Sequence, residues 1–539
     1  MFLTIKRKIS LFSVISILAA IGIILPLFTI ARELFTPAND TWRHIQTYLL
    51  FDYIKNSLIL IFFTAILSGF IGFTSAYIVT FYEFKGRKLL SWMLILPLAV
   101  PSYIAAYIYA DSVSFTGTIG RLFQSIGVGS INIMNMTGAI IIFSFTLYPY
   151  VYMLVRSNFK KQSSVYIENA TLLSTSKFHV FRCIILPLTR PALVAGTLLV
   201  VLETLNDYGL VKYFGVRVFS YAIFDAWFRL GDVISAIRIS AVVLVVVFII
   251  ITLERILRGK RQYTASVKSK PQQRKLVTKI ARLGIYTWLL LILTIGFLYP
   301  FIEIVLNTIT TYHDLVSEKL LYIIINTVTL ALLATTLTLI IALMLTNFSR
   351  TEPSPFSRAL LKITTLGYAI PGAVIAVSVL IFFTDLDRLL YPFYNLVLEN
   401  PKTLILSTSL TILVFAYILR FMTIAFNSVE SSYDKIGLRY TEASYVLGSS
   451  KLKTLITVDL PLIKPGLITA FIIVFIDIIK ELPLTLILRP TNYNTLATNV
   501  YTYANDEMIH EASAPALVLI IISGLLIYYL THRKSKRGV

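Results

Sequence analysis

The stretch that decides the fold occurs twice in this chain. Residues 168–191 read ENATLLSTSKFHVFRCIILPLTRP, and residues 442–465 read EASYVLGSSKLKTLITVDLPLIKP. Corresponding positions are 274 residues apart, so Glu168 matches Glu442 and Pro187 matches Pro461. A constant offset indicates a duplicated unit. We call these stretches the first and second repeat segments. Each is polar, partly amphipathic and flanked by apolar runs, which makes it a candidate cytoplasmic docking element.

Composition places the rest of the chain in a membrane. Of 539 residues, 57% are apolar and 14% charged, and the mean hydropathy is +0.80, whereas globular domains carry about 25% charged residues. A helix needs about 20 apolar residues to cross the hydrocarbon. The sequence therefore predicts an all-α integral membrane protein with about twelve transmembrane helices. Uncharged runs of spanning length include 11–30, 57–80, 89–110, 136–155, 320–348, 363–384 and 512–530.

The spans fall into two parallel repeats of six helices. Asn56 opens a run whose counterpart begins at Asn326, and Pro101 matches Pro371, both at an offset of 270. We predict a first transmembrane half at 1–257, a basic cytoplasmic linker at 258–282 and a second transmembrane half at 283–539. Because six is an even number, both repeat segments then face the same side.

Prolines inside the spans leave two interpretations open. Pro97, Pro101 and Pro371 interrupt apolar runs, and a proline breaks the helical hydrogen-bond ladder. The break is either a kink near a transport pathway or a packing kink without a functional role.

The positive charge is distributed as in a membrane protein. The formal net charge is +21, but most Lys and Arg fall in segments that the predicted topology places inside, which puts both termini in the cytoplasm. This distribution argues against a nucleic-acid-binding surface. The linker at 258–282 has nine positive residues and no acidic one, so we expect it to lie near anionic lipid headgroups.

Several chemical functions are disfavoured by residue type. The one cysteine excludes an intrachain disulfide, and five scattered histidines give no local metal-ligand motif. Gly259 and Lys260 are followed by Arg261, so the chain has no phosphate-binding loop of the ATPase type. We therefore expect that the chain binds no cofactor and no metal, and that it is not an enzyme.

Each repeat segment is predicted to be a helix–turn–helix unit. Gly448, followed by two serines, has the pattern of a helix stop and a new start. Ser174 stands at the matching position of the first segment, where a left-handed residue is less comfortable. Ser163 and Ser164 are candidate caps for a helix that carries Glu168 in an early turn.

Acidic residues appear at matching places in the outer halves of two spans. Glu203 and Asp207 follow the first segment, and Asp477 and Glu481 follow the second, each pair spaced i, i+4. In a continuing helix each pair shares one face. Charges in a span usually face a water-filled path or a partner. We predict either an acidic ring that lines a pathway or gate, partly neutralised by Lys480 and Arg489, or a structural ion pair with Lys480.

The repeat segments resemble the cytoplasmic signature of the membrane permeases of ABC importers: Glu-Ala-Ala, then Gly, then hydrophobic-Leu-Pro. The Glu-to-Leu spacing of 18 residues is the same in both copies. Asn169, Ser174 and Ser444 depart from the expected Ala or Gly. The resemblance implies a type I importer permease fold in which these segments couple to an ATPase through Glu168, Ala170, Ser174, Leu186 and Pro187, and through Glu442, Ala443, Gly448, Leu460 and Pro461.

Residues 201–216 and 480–507 are similar to the fused ferric-iron permeases of that superfamily. This likeness implies that two copies of a separate ATPase, which bind ATP and Mg, dock on the two segments. It also implies that a periplasmic or extracellular iron-binding protein delivers substrate at a bacterial inner membrane, with membrane lipid as the other partner and no nucleic acid.

Three other functions compare with this interpretation. An ABC permease for thiamine, polyamine or phosphonate has a similar organisation. An ion-coupled secondary transporter also uses two six-span halves and intramembrane carboxylates, although the paired segments count against it. A membrane-embedded enzyme needs a catalytic constellation that the sequence does not offer.

Overall fold

The computed structural model describes residues 11–33, 35–127, 129, 131–161, 176–258, 274–311, 317–365, 367–398 and 403–536. These residues are almost entirely helical, joined by short connections. A single two-residue pairing, β1 (Tyr82–Glu83) with β2 (Lys275–Leu276), forms the parallel sheet seen in the described residues.

The helices up to residue 258 are α1 (Leu11–Glu33), α2 (Asp40–His44), α3 (Leu50–Phe81), α4 (Arg87–Met93), α5 (Ser102–Val113), α6 (Thr118–Ser125), α7 (Met136–Lys161), α8 (Lys177–Val180), α9 (Leu186–Asn206), α10 (Gly209–Tyr213), α11 (Phe219–Phe224) and α12 (Val233–Arg258).

The later helices are α13 (Lys279–Leu293), α14 (Tyr299–Thr310), α15 (Glu318–Thr351), α16 (Pro355–Thr364), α17 (Gly372–Val397), α18 (Leu410–Ile436), α19 (Arg439–Val446), α20 (Lys451–Thr454), α21 (Leu460–Lys480), α22 (Pro483–Leu488), α23 (Leu496–Asn505) and α24 (Ile509–Lys536). Wider π-helical turns occupy Ile45–Leu49, Phe181–Ile185, Asp225–Arg229, Thr294–Leu298 and Leu455–Asp459, and tighter 3₁₀ turns occupy Leu96–Ala99 and Gly367–Ala369.

The structure has membrane spans in about the predicted number. Ten helical stretches among the described residues are long and apolar enough to cross a membrane, and a bent pair makes an eleventh if it is one span. Helix α17 is also long enough, with 26 residues, but carries Asp385, Asp387 and Arg388 in its second half. The chain is therefore a multi-pass, all-α membrane protein.

The described chain packs into two compact units whose bounds differ from the sequence halves. Unit 1 comprises Met1–Asn39, Val233–Ala241 and Glu318–Thr498; unit 2 comprises Asp40–Asp232, Val242–Ser317 and Asn499–Val539. In unit 1, α1 packs against α15 and α17; in unit 2, α14 packs against α24. The halves at 1–257 and 283–539 describe the duplicated sequence, whereas each compact unit draws on both halves.

The duplication is visible in the helix ends. The π turns Phe181–Ile185 and Leu455–Asp459 are 274 residues apart, and so are α9 and α21 at their first and last residues. Pro101 and Pro371 both have φ −57° and ψ 143° and precede α5 and α17. The sequence offsets of 270 and 274 therefore correspond to equivalent structural positions.

Pro101 breaks the uncharged run at 89–110, where the sequence predicts a kink. The stretches Arg87–Ala99 and Ser102–Ser125 are bent by 89° relative to each other. Proline has no N–H to donate and disfavours helical backbone at the residue before it; Val100 is accordingly extended, with ψ 111°. The break is sharper than a kink.

Close helix crossings hold unit 2 together. A Cβ built on Gly72 of α3 would lie 2.7 Å from the Val151 Cβ of α7, and one on Gly196 of α9 would lie 2.8 Å from the Val151 Cα. Helices in lipid associate by such backbone approach, since lipid tails are as apolar as leucine. The two glycines therefore let α3, α7 and α9 share one contact point.

Candidate functional site

The second repeat segment forms the predicted helix–turn–helix. Helix α19 ends at Val446, Gly448 follows with φ +83°, and the Ser450 hydroxyl accepts the Lys453 N–H at 3.3 Å as the cap of α20. A left-handed φ is strained for any residue with a Cβ. The prediction for Gly448 is therefore confirmed in geometry.

Two buried polar contacts close this segment. The Ser444 and Thr454 hydroxyls lie 2.9 Å apart, and the Thr441 hydroxyl donates to the Asp459 carboxylate at 2.8 Å. They connect α19 to α20 and to the π turn that enters α21. Ser444 replaces the alanine expected of the family signature, so its hydroxyl adds a bond that alanine cannot make.

Apolar residues stand at all four corresponding positions of the first half. At the offset of 274, Ser444 and Thr454 correspond to Ala170 and Val180, and Thr441 and Asp459 correspond to Ile167 and Ile185. In each polar pair, both members are thus replaced by apolar residues in the first half. In the second segment a single exchange would leave a buried polar group without its partner.

The exposed surface of the second segment consists of apolar side chains near the acidic residue Glu442. Glu442 and Ala443 are exposed, and Val446 and Leu447 are 87% and 86% exposed. Other large apolar side chains on or just before this segment are also exposed, namely Leu438, Tyr440, Leu452 and Ile456. An exposed apolar patch of this kind is typical of a protein-binding surface.

The two Leu-Pro pairs begin the spans that follow the segments. Leu186 and Leu460 are the first residues of α9 and α21, with Pro187 and Pro461 second. The proline lacks an N–H, and the change from π to α hydrogen bonding occurs at this place. Glu168, Ala170 and Ser174, with Ser163 and Ser164, lie at 162–175, outside the described residues, and their roles stay predictions.

The structure corrects the predicted shared face of each acid pair. Helix α9 ends at Asn206 and α21 at Lys480, so Asp207 and Glu481 are the first residues beyond the helix, with extended ψ of 130° and 119°. A pair at i, i+4 shares a face only while the helix continues. Glu203 and Asp477 remain within their helices.

Asp207 and Glu481 instead hold the chain after the helix. Asp207 Oδ1 accepts the Leu210 N–H at 2.9 Å, and Glu481 Oε1 accepts the Leu484 N–H at 3.2 Å. These are equivalent contacts, each three residues on, at the start of α10 and α22. Both acids therefore fix a turn where a span is interrupted.

Glu481 also forms a buried ion pair that the sequence reasoning missed. Its Oε2 lies 3.3 Å from Arg420 Nε, with side chains only 6% and 4% exposed, although this nitrogen is not aligned for a hydrogen bond. The sequence leaves an ion pair with Lys480 as one of two interpretations and does not indicate Arg420. The available signal was that Arg420 is the one charged residue between 410 and 427. Its counterpart in the first half is Thr146, so this ion pair is not duplicated.

Arg489 and Lys480 take different places in unit 1. Lys480 ends α21, whereas Arg489 follows α22, and its Nη1 donates to the Asn494 side-chain oxygen. Glu203 and Asp207 belong to unit 2, and Asp477 and Glu481 to unit 1. A ring formed by all four acids therefore stays a prediction. Among the described residues, no group of three or more His, Cys, Asp or Glu is arranged to hold a metal ion.

Comparison with known proteins identifies relatives along the whole chain. The family model for the binding-protein-dependent transport system inner membrane component matches residues 68–261 and again 336–537. The Fe(3+)-transport system permease protein FbpB 2 of Haemophilus influenzae is 23% identical over 89% of each chain. The probable ABC transporter permease protein y4fN of Sinorhizobium fredii is 22% identical over 86% of this chain and 84% of its own.

Other similarities cover one half. The sulfate transport system permease protein CysT of Salmonella typhimurium is 30% identical over 30% of this chain and 57% of its own. A crystal structure of a bacterial alginate ABC transporter in complex with an alginate-bound periplasmic protein matches 48% of this chain and 96% of its own, at 16% identity and a TM-score of 0.38. Since the family model matches most of the chain, in two successive copies, this protein belongs to the family of binding-protein-dependent transport system inner membrane components, as a fused two-repeat permease of an ABC importer.

Proposed function

We propose that this permease carries ferric iron across a bacterial inner membrane. The observation that supports iron is the collinear similarity to the Haemophilus influenzae Fe(3+) permease over 89% of both chains, which includes the fusion of two repeats. The sulfate permease of Salmonella typhimurium is similar over only 30% of this chain and 57% of its own. Acidic residues at two span ends are compatible with a cationic substrate.

Two copies of an ATPase dock on the two repeat segments in this proposal, with both termini in the cytoplasm. Support comes from the second segment, where exposed Val446 and Leu447 lie next to exposed Glu442. A receptor with twofold pseudosymmetry suits a pair of identical motor subunits. A binding protein on the opposite side delivers the iron.

Glu481 has a gating role in this proposal, because Arg420 already neutralises its carboxylate. Glu203 and Asp477 lie within their helices, one turn before the interruption, and are the other acids of this proposal. Lys480 is the last residue of α21, and Arg489 directly follows the last residue of α22.

The substrate is tested in proteoliposomes that contain this permease, its ATPase and its binding protein. We expect ferric iron, presented on the binding protein, to stimulate ATP hydrolysis and to accumulate inside. Sulfate is the second candidate, on account of the half-length matches. Stimulation by sulfate and not by iron would refute the choice of iron and leave the importer assignment intact.

The docking role is tested separately by pull-down of the ATPase. Glu442→Ala combined with Glu168→Ala should leave the permease in the membrane and abolish ATPase recovery. Glu318→Ala is the matched control, because Glu318 is an exposed acid at the first residue of α15. Full recovery with the double variant would contradict the docking role.

A further inference from the structure

Four basic side chains gather where α7 ends in unit 2. Arg87 begins α4, Arg156 and Lys160 lie in the last turns of α7, and Arg274 directly precedes β2. One carboxylate serves two of them: Glu83 Oε1 lies 3.2 Å from Arg87 Nε, and Oε2 lies 3.0 Å from Arg274 Nη1. We call these five residues the basic cluster. Its formal charge is +3.

The cluster combines a buried floor with an accessible rim. Arg87 is 8% exposed and also donates from Nη1 to the Val79 carbonyl at 3.3 Å. Arg156 donates from Nη1 to the Ser91 carbonyl at 3.3 Å, while its Nε is buried with no hydrogen-bond partner among the described residues. Lys160 is exposed.

Repulsion acts within the cluster. Arg156 and Lys160 lie one helical turn apart at the end of α7, while Arg87 and Arg274 share the single carboxylate of Glu83. Like charges at this range, including the i, i+4 pair of Arg156 and Lys160, destabilise a helix end. An anion bound among them removes that repulsion.

The other half does not repeat this arrangement. At the offset of 274, Arg156 and Lys160 correspond to Glu430 and Asp434 near the end of α18. The helices themselves match, since α7 is buried at Phe143, Val151 and Val155 where α18 is buried at the corresponding residues Tyr417, Ala425 and Val429. The charge is therefore a property of the first half alone and is not required by the duplicated packing.

We propose that the basic cluster binds a phosphate group, either the headgroup of an anionic phospholipid or a free phosphate. A guanidinium group matches phosphate oxygens in a planar, bidentate geometry. The cluster lies at the end of the span Met136–Lys160, the depth at which headgroups are met. Since α7 leads directly into residues 162–175, occupancy steadies the helix from which the first repeat segment departs.

The test uses the full chain in nanodiscs of phosphatidylcholine. One arm adds phosphatidylglycerol to the bilayer, and the other adds inorganic phosphate to the buffer. The readouts are the thermal unfolding midpoint and retained lipid by native mass spectrometry. Stabilisation by phosphatidylglycerol alone assigns the site to a lipid headgroup; stabilisation by inorganic phosphate assigns it to a soluble anion. No stabilisation in either arm overturns the proposal.

A variant pair ties the effect to the cluster. Lys160→Gln should weaken the anion's apparent affinity about fivefold, the usual contribution of one basic side chain near a membrane surface. Lys435→Gln, an exposed lysine near the end of α18, should leave the affinity unchanged. Equal effects of the two variants overturn the assignment. If Lys160→Gln folds poorly, the original chain is measured at high salt instead. The stabilisation by the anion should then be lost, because salt screens charges and not buried hydrophobic packing.

Discussion

Replacing Arg420 by methionine should destabilise unit 1 strongly. The change removes the guanidinium group that lies 3.3 Å from the Glu481 carboxylate, and both side chains are at least nine-tenths buried. Removing one partner of a buried pair costs about 3–5 kcal/mol. Glu481 keeps the N–H of Leu484, so we expect the lower end, about 3 kcal/mol, because a hydrogen bond to a charged group contributes about 1.5–3 kcal/mol.

The assay is thermal unfolding of the detergent-solubilised chain, with each variant heated at the same rate. For a unit of this size, about 3 kcal/mol lowers the midpoint by roughly 6–12 °C. The double variant Arg420→Met with Glu481→Gln keeps an acceptor for Leu484 and removes both charges. It should therefore recover to within about 1 kcal/mol of the original stability.

The control is Arg388→Met. Arg388 is exposed, and its Nη1 lies 4.0 Å from Asp385 in the same unit, so its loss should cost less than about 1 kcal/mol. The reasoning fails if Arg420→Met matches this control, or if the double variant is no more stable than the single one.

Three further predictions concern separate contacts. Gly448→Ala should cost about 1–2 kcal/mol from its left-handed backbone, whereas Gly524→Ala, which likewise has open space around its Cβ, should be neutral or stabilising; equal unfolding midpoints would contradict this. Asp387→Asn should cost about 1–3 kcal/mol of stability, because the carboxylate accepts from the Leu406 N–H, the Tyr394 hydroxyl and both donors of Ser407. It should also accelerate proteolysis near residue 403. Unchanged cleavage would refute the idea that Asp387 anchors residues 406–407. Partial burial acts to raise the pKa of Glu83, but hydrogen bonds from Arg87 and Arg274 outweigh it and lower the pKa. The contact therefore stabilises the protein at neutral pH, and this contribution is lost as pH falls through the lowered pKa. The hydrogen-exchange rates of Lys275 and Leu276 in the original chain and in Glu83→Gln should become equal only in acid, and a difference that persists there would refute the prediction.

Local signals in the sequence predicted much of the architecture. The offset of 274 places α9 and α21 at equivalent residues, and Gly448 has the backbone that its pattern predicted. Helix ends depend on capping and on proline or glycine, which are short-range properties. The interruption after Asn206 and Lys480 was predictable on the same grounds, since Gly209 and Pro483 are equivalent helix-breaking residues just beyond it.

Contacts between distant residues were less predictable. Arg420 contacts Glu481 because α18 packs against α21 with these two side chains facing each other. The apolar pattern of a membrane helix does not predict which face packs against a neighbour, since lipid-facing and protein-facing sides are similarly apolar. The basic cluster depends in the same way on Arg274, which is 191 residues from Glu83 along the chain. Its charges were visible, but their convergence was not.

The interleaved composition of unit 1 has a consequence for biosynthesis. Helix α1 ends at Glu33, yet its partner α15 begins at Glu318, roughly 285 residues later. At a synthesis rate of about 5–20 residues per second, α1 waits roughly 15–60 s in the bilayer before that partner exists. A helix without charged residues between Leu11 and Ile30 is suited to that interval, because lipid solvates it as well as protein does. Unit 1 therefore cannot be completed until residues far beyond α1 have been synthesised.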